Sequence, residues 1–156
     1  MTLVQGSGFA VDVPAAWEVN IRPESAMLLS GDDGVIEPAV LHMANFQLPQ
    51  ELAEYGDELY TDLGPADVFV AVIDFGPLAA DQGLFGHKGM QLPLALEDFS
   101  EDAAVRGLQG GTAAQQFFQA SGRGYCLYVV IGSHRERADV LLELNTVLAS
   151  VEMGTS

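Results

Sequence analysis

The sequence predicts an α+β fold: an antiparallel β-sheet of five to seven strands with helices on both faces, an α/β/α sandwich. Three observations carry this expectation. Residues 68–75 (VFVAVIDF) and 125–131 (YCLYVVI) are apolar at odd and even positions alike, as central strands are when other layers cover both faces. Val140, Leu144, Val147, Leu148 and Val151 recur at helical spacing, which describes an amphipathic helix laid on something flat. Hairpin-like connections between most neighbouring strand segments then favour antiparallel pairing.

Taken in chain order, Phe9, Val11 and Val13 alternate with Ala10 and Asp12 until Pro14 stops the run, and Trp17, Val19 and Ile21 resume it, so two short strands meet at a corner. The stretch AMLLSG (26–31) reads as a strand ending in the turn GDDG, and AVLHMANFQL (39–48) as a longer one. Pro49 opens a helix over 50–62, with Leu52, Tyr55 and Leu59 on one side and Glu51, Glu54, Asp57 and Glu58 on the other. Residues 76–111 are glycine-rich and weakly periodic. The mobile part of the chain is expected there, with a short helical turn capped by Ser100. AAQQFFQA (113–120) is a strand hairpinned through SGRG to 125–131, and residues 135–151 form the closing helix, whose Glu136, Asp139, Glu143 and Ser150 point away from the apolar stripe.

The length of 156 residues fits one domain, 1–156, able to bury roughly two-thirds of its unfolded surface. Against 22 acids stand only six Lys and Arg, a net charge of −16, which repels nucleic acid and anionic lipid and excludes nucleic acid as a direct partner. Cys126 is the only cysteine, so neither an internal disulfide nor a thiolate metal cluster can form; on an apolar strand it is a small buried hydrophobe. No segment approaches the ~20 apolar residues needed to span a bilayer, and no basic and apolar leader opens the chain. A cytoplasmic location is expected, or a secreted one if a signal peptide has been trimmed.

Arg123, His134, Arg135 and Arg137 gather around the strand–turn–helix at 121–150, and three of the six cations fall in this window. A phosphate site at a helix start needs free N–H groups. Here Ser133 and Glu136 have the spacing of a capping box, which takes up those donors and puts a carboxylate where the anion would sit. The remaining role for His134, Arg135 and Arg137 is surface contact with an acidic partner, with Arg123 counted among the partner-binding residues, and His87, in the glycine-rich loop, is a further candidate contact. His42, His87 and His134 form no HxxxH or HExxH pair, the acids of GDDGVIE lack the alternation of a calcium loop, those of LEDFSEDAA suit a helix start, and there is no GxSxG nucleophile elbow. Asp74, the one acid in line with a buried strand, reads as a strand-end turn residue. Catalytic residues, metal ligands and cofactors are therefore none in this reading.

The GFxVDVPxxW opening, the middle helix, and the aromatic strand GRGYCLYVVIG leading into a helix that ends LNTVLASVEM resemble the PsbP-like superfamily, which includes DcrB-like bacterial proteins and Ran-binding import factors. The resemblance extends over nearly the whole chain in architecture and implies a non-enzymatic adaptor or chaperone-like module. The expected function is thus protein binding, with the oligomeric state open and a homodimer among the arrangements. The alternative is a small-ligand binder or enzyme whose site assembles around loop 76–111. A deep polar pocket beneath that loop would favour the alternative, whereas an exposed apolar groove or a self-complementary face would favour the binding module.

Overall fold

The computed structural model describes residues 2–23, 39–49, 63–101 and 110–153. Within them the chain is α+β and mostly sheet, with eight strands in two antiparallel sheets and one α-helix. The larger sheet contains β3 (Glu18–Pro23), β4 (Ala39–Ala44), β5 (Val68–Gly76), β6 (Thr112–Ala120) and β7 (Arg123–Ile131), in the order β3-β4-β5-β7-β6. The smaller holds β1 (Thr2–Gly6), β2 (Phe9–Val13) and β8 (Glu152–Met153), in the order β1-β2-β8.

The hairpins follow from their turns. Ser7 and Gly8 between β1 and β2, and Ser121 and Gly122 between β6 and β7, all have positive φ, the backbone of a two-residue turn whose twist matches that of the strands it joins. All nine residues of β7 are buried, as an apolar strand in mid-sheet requires. Its neighbour β5 is buried throughout except at Phe75.

One face of the large sheet, with Leu41, Met43, Val70, Val72, Leu127 and Val129, packs against β2 and the helix α1 (Arg137–Ala149) in a single apolar core. Leu144, Val147 and Leu148 are the residues α1 buries there. Phe9 of β2 meets the ring of Tyr125 edge-on, with centroids 6.0 Å apart. The opposite face carries Phe69, Ala71, Tyr128 and Val130, and beside them Val40, Ile73 and Cys126, all buried.

The structure revises the expected architecture in several places. The strands divide between two sheets, because the Pro14–Trp17 turn, closed by Trp17 N–H on Pro14 O at 3.0 Å, turns β3 away from β2. Among the described residues the α-helix lies on one face only, so helices on both faces are not seen there; the helix expected at 50–62 and the strand expected at 26–31 lie outside them. Strand β1, unexpected from the sequence, pairs along β2 from Thr2↔Val13 to Gly6↔Phe9. The final helix stops at Ala149, because the Ser150 hydroxyl donates to Val147 O and to Asp12 O, and the chain passes through Val151 into β8. Glu143 is not a bystander: its carboxylate accepts the Trp17 indole N–H at 2.7 Å, tying α1 to the corner.

Residues 76–101 form three 3-10 turns, Pro77–Asp81, Gly83–Phe85 and Leu96–Asp98, joined by extended pieces. Ser100 exchanges both backbone hydrogen bonds with Ala113, and the stretch expected to turn helical after it falls within 102–109, outside the described residues.

Candidate functional site

The predicted cationic cluster comes together only in part. His134 and Arg137 knit the fold: the His134 Nδ1 lies 2.9 Å from the buried Thr112 hydroxyl, and the Arg137 guanidinium donates to Leu96 O at 3.1 Å and to His134 O at 2.6 Å. Arg135 alone of the three is exposed. The expected capping box forms by half. Ser133 Oγ accepts the Glu136 N–H at 3.3 Å, but the helix starts one residue later, at Arg137, so this bond closes a separate turn.

That geometry ranks two substitutions. Arg137→Ala, which removes charge-assisted bonds to two carbonyls, is expected to cost about 1 kcal/mol after allowance for its partial exposure, more than Ser133→Ala at about 0.5 kcal/mol. Arg135→Ala should leave the denaturation midpoint unchanged. Equal midpoints for the Arg137 and Ser133 variants in urea would contradict the ranking.

Arg123 stands at the other end of β7 and is not a surface contact. Its side chain is 7% exposed, and its Nε donates to both oxygens of Asp74, at 3.1 and 2.9 Å. Asp74, itself buried, also accepts the Gly76 N–H at 2.8 Å, so the turn role read from the sequence holds alongside an ion pair that it did not reveal. Burial pushes the Asp74 carboxyl up from its ordinary value, only partly offset by Gly76 N–H and by Arg123. Burial also pushes the Tyr125 hydroxyl up to about 12, helped by the charge of Asp74. A paired, enclosed carboxylate of this kind holds β5 to β7 and has no open face toward a substrate.

The remaining predicted contact, His87, sits in a different setting. The loop after β5 folds over the edge strand β6: Gln119 N–H donates to His87 O at 2.7 Å, and Gly89 N–H to Gln119 O at 2.8 Å. The Phe85 ring lies over Gly124, where a Cβ would come within 2.6 Å of Ala79 Cβ and 3.0 Å of that ring, so only glycine lets the loop settle on β7. The Gln116 amide clasps the Gln91 backbone in both directions, at 2.9 and 3.0 Å. What results is a depression of about 260 Å³ lined by Leu84, His87, Gln91, Gln115, Gln116, Phe117 and Phe118. His87 Nδ1 and the Gln91 amide lie 2.8 Å apart inside it.

The end of β5 and the loop that follows it expose apolar side chains. Phe75 is 43% exposed, Leu78 83% and Leu84 60%. Phe75, Phe85 and Phe117 form a chain of ring contacts at 5.7 and 5.6 Å, continuous from the end of β5 to the edge of β6. Sequence reading missed these glutamines and apolar residues. The available signal was the polar pair Gln115–Gln116 inside an otherwise apolar strand, which marks an uncovered edge.

Among the described residues, no group of three or more His, Cys, Asp or Glu is placed to hold a metal ion, and no helix is long and apolar enough to cross a membrane. Comparison with protein-family models, curated proteins and solved structures gives no significant match.

Proposed function

We propose that the chain is a non-enzymatic protein-binding module of the adaptor or chaperone type, and that it meets its partner through loop 75–91 and the adjoining edge of β6. The observation that carries this reading is the exposure of Phe75, Leu78 and Leu84, three large hydrophobic side chains within ten residues, the first of which connects through the buried Phe85 ring to Phe117. Scattered apolar side chains are ordinary on a protein surface, but three large ones exposed within one short segment, with Leu84 lining a cleft, favour an interaction site. Surface acidity elsewhere disfavours anionic partners and leaves this patch, next to the lone lysine Lys88, as the contact suited to another polypeptide. The PsbP-like resemblance, which stands on the sequence, points to the same class.

The ligand-binding alternative has the glutamine-lined depression in its favour. At about 260 Å³ it falls below the ~300–1,000 Å³ that usually encloses a small ligand, and it opens along a strand edge where a length of chain fits better.

Photo-crosslinking from a benzophenone amino acid placed at position 78, in the native cell, tests the proposal. One dominant adduct with another protein is expected, lost when Leu84→Ser is added. No adduct, or adducts scattered over abundant proteins, would refute it.

A further inference from the structure

Among the described residues, the edge of β6 carries a gap in its backbone pairing. Ala113 N–H and C=O both pair with Ser100, at 3.1 and 2.9 Å, and Gln119 N–H and C=O pair with His87 and Gly89. An antiparallel strand turns its backbone groups toward the same side at every second residue. With Ala113 and Gln119 facing away from β7, Gln115 and Phe117 face away as well, and among the described residues their outward N–H and C=O groups have no partner. These two residues also line the depression. Six residue steps separate the two bridged positions, roughly 20 Å of strand at ~3.3 Å per residue.

We propose that this gap is a strand-addition site for a short extended peptide segment of a partner protein. The proposal rests on the binding-module reading and gives its mode of contact. Backbone donors and acceptors that alternate two residues apart are complementary to another extended backbone and to little else. The chain itself demonstrates the mode, since His87–Gly89 and Ser100 already pair with the same edge on either side.

Those two bridges also choose the occupant. They block the nine-residue edge at both ends, so β6 of a second copy cannot lie along it in full. A segment of about three residues can. Leu84 and Phe117 in the lining favour an aliphatic or aromatic side chain, and the Gln91 amide and His87 offer a polar one a partner. Proline at a pairing position is excluded, because it lacks the N–H that Gln115 or Phe117 C=O would accept. With a net charge of −16 on the chain, an acidic segment is disfavoured.

Selection of a phage-displayed library of heptapeptides on the whole protein supplies the probe, and amide hydrogen exchange with the enriched peptide reads the site. The expected result is a neutral or basic apolar consensus without proline at its centre, and slowed exchange at the Gln115 and Phe117 amides. N-methylation of the peptide at alternate residues should weaken binding about tenfold for the pairing set and leave the other set unaffected. Gln115→Pro, which deletes one outward N–H at an edge position that tolerates proline, should weaken it similarly, provided its circular dichroism matches the parent.

Binding with unchanged exchange at Gln115 and Phe117, or equal tolerance of N-methylation in both sets, overturns strand addition. So does protection of those amides by dimerisation without peptide. If position 78 still crosslinks one partner in any of these cases, the binding-module reading stands and only the mode of contact falls; if it does not, both fall.

Discussion

Arg123→Met is expected to destabilise the fold by about 3–5 kcal/mol at neutral pH, because it strands the Asp74 carboxylate in the interior without its counter-charge. The two side chains are 7% and 2% exposed, so solvent screens little of the loss. In the variant only burial and the Gly76 N–H act on Asp74, and its carboxyl, already raised from 3.8, is driven further up. The sign of the pH dependence follows. A carboxyl whose folded value lies above its unfolded one favours the folded state while both are protonated, and that contribution is lost as pH rises through the folded value. The deficit of Arg123→Met should therefore be smallest in acid and grow toward neutrality. Adding Asp74→Asn should recover much of the neutral-pH loss, since the amide needs no counter-charge and can still accept from Gly76. Urea denaturation of the single and double variants across this range is the measurement. A single-variant cost below about 1 kcal/mol, the range of exposed ion pairs, would show that the pair does not hold β5 to β7.

Gly132→Ala is the second large effect. A Cβ at this position would fall on the Gly64 carbonyl oxygen and within 2.8 Å of its carbon. Neither side can give way easily. Gly132 N–H donates to Asp67 O at 3.0 Å, and the 64–67 turn is closed by Asp67 N–H on Gly64 O at 3.1 Å and by Gly64 N–H on the Asp67 carboxylate at 2.8 Å. The collision is between backbones, so the loss should reach about 1–3 kcal/mol or beyond. Gly83→Ala, where an added Cβ meets nothing within 4 Å, is the control, expected within about 0.5 kcal/mol of the parent. Matching denaturation midpoints for the two variants would refute the packing of Gly132 against the 64–67 turn.

Much of this was legible in local pattern. The two-sided apolar runs marked β5 and β7 as covered central strands, and they are buried along nearly their whole length. The 3.6-residue recurrence placed the final helix to within two residues at each end, and the SGRG turn joined β6 to β7. Cys126, read as a buried hydrophobe, has no exposure. Strand β1 escaped notice because TLVQG is short, mostly exposed and weakly alternating, and its strand character comes from pairing with β2.

By itself, the sequence determined which segments are buried, their periodicity and their turns, because solvent exclusion and backbone preference act on neighbouring residues. Only the tertiary structure decided which segments meet. It split the strands into two sheets and joined Asp74 to Arg123, 49 positions apart. It spent Arg137 on two carbonyls and brought His87, Gln91 and Gln115 to one strand edge. Each of these is a long-range pairing whose energy depends on geometry that no window of neighbouring residues contains. An arginine reads alike in sequence whether its partner is a buried carboxylate or the solvent.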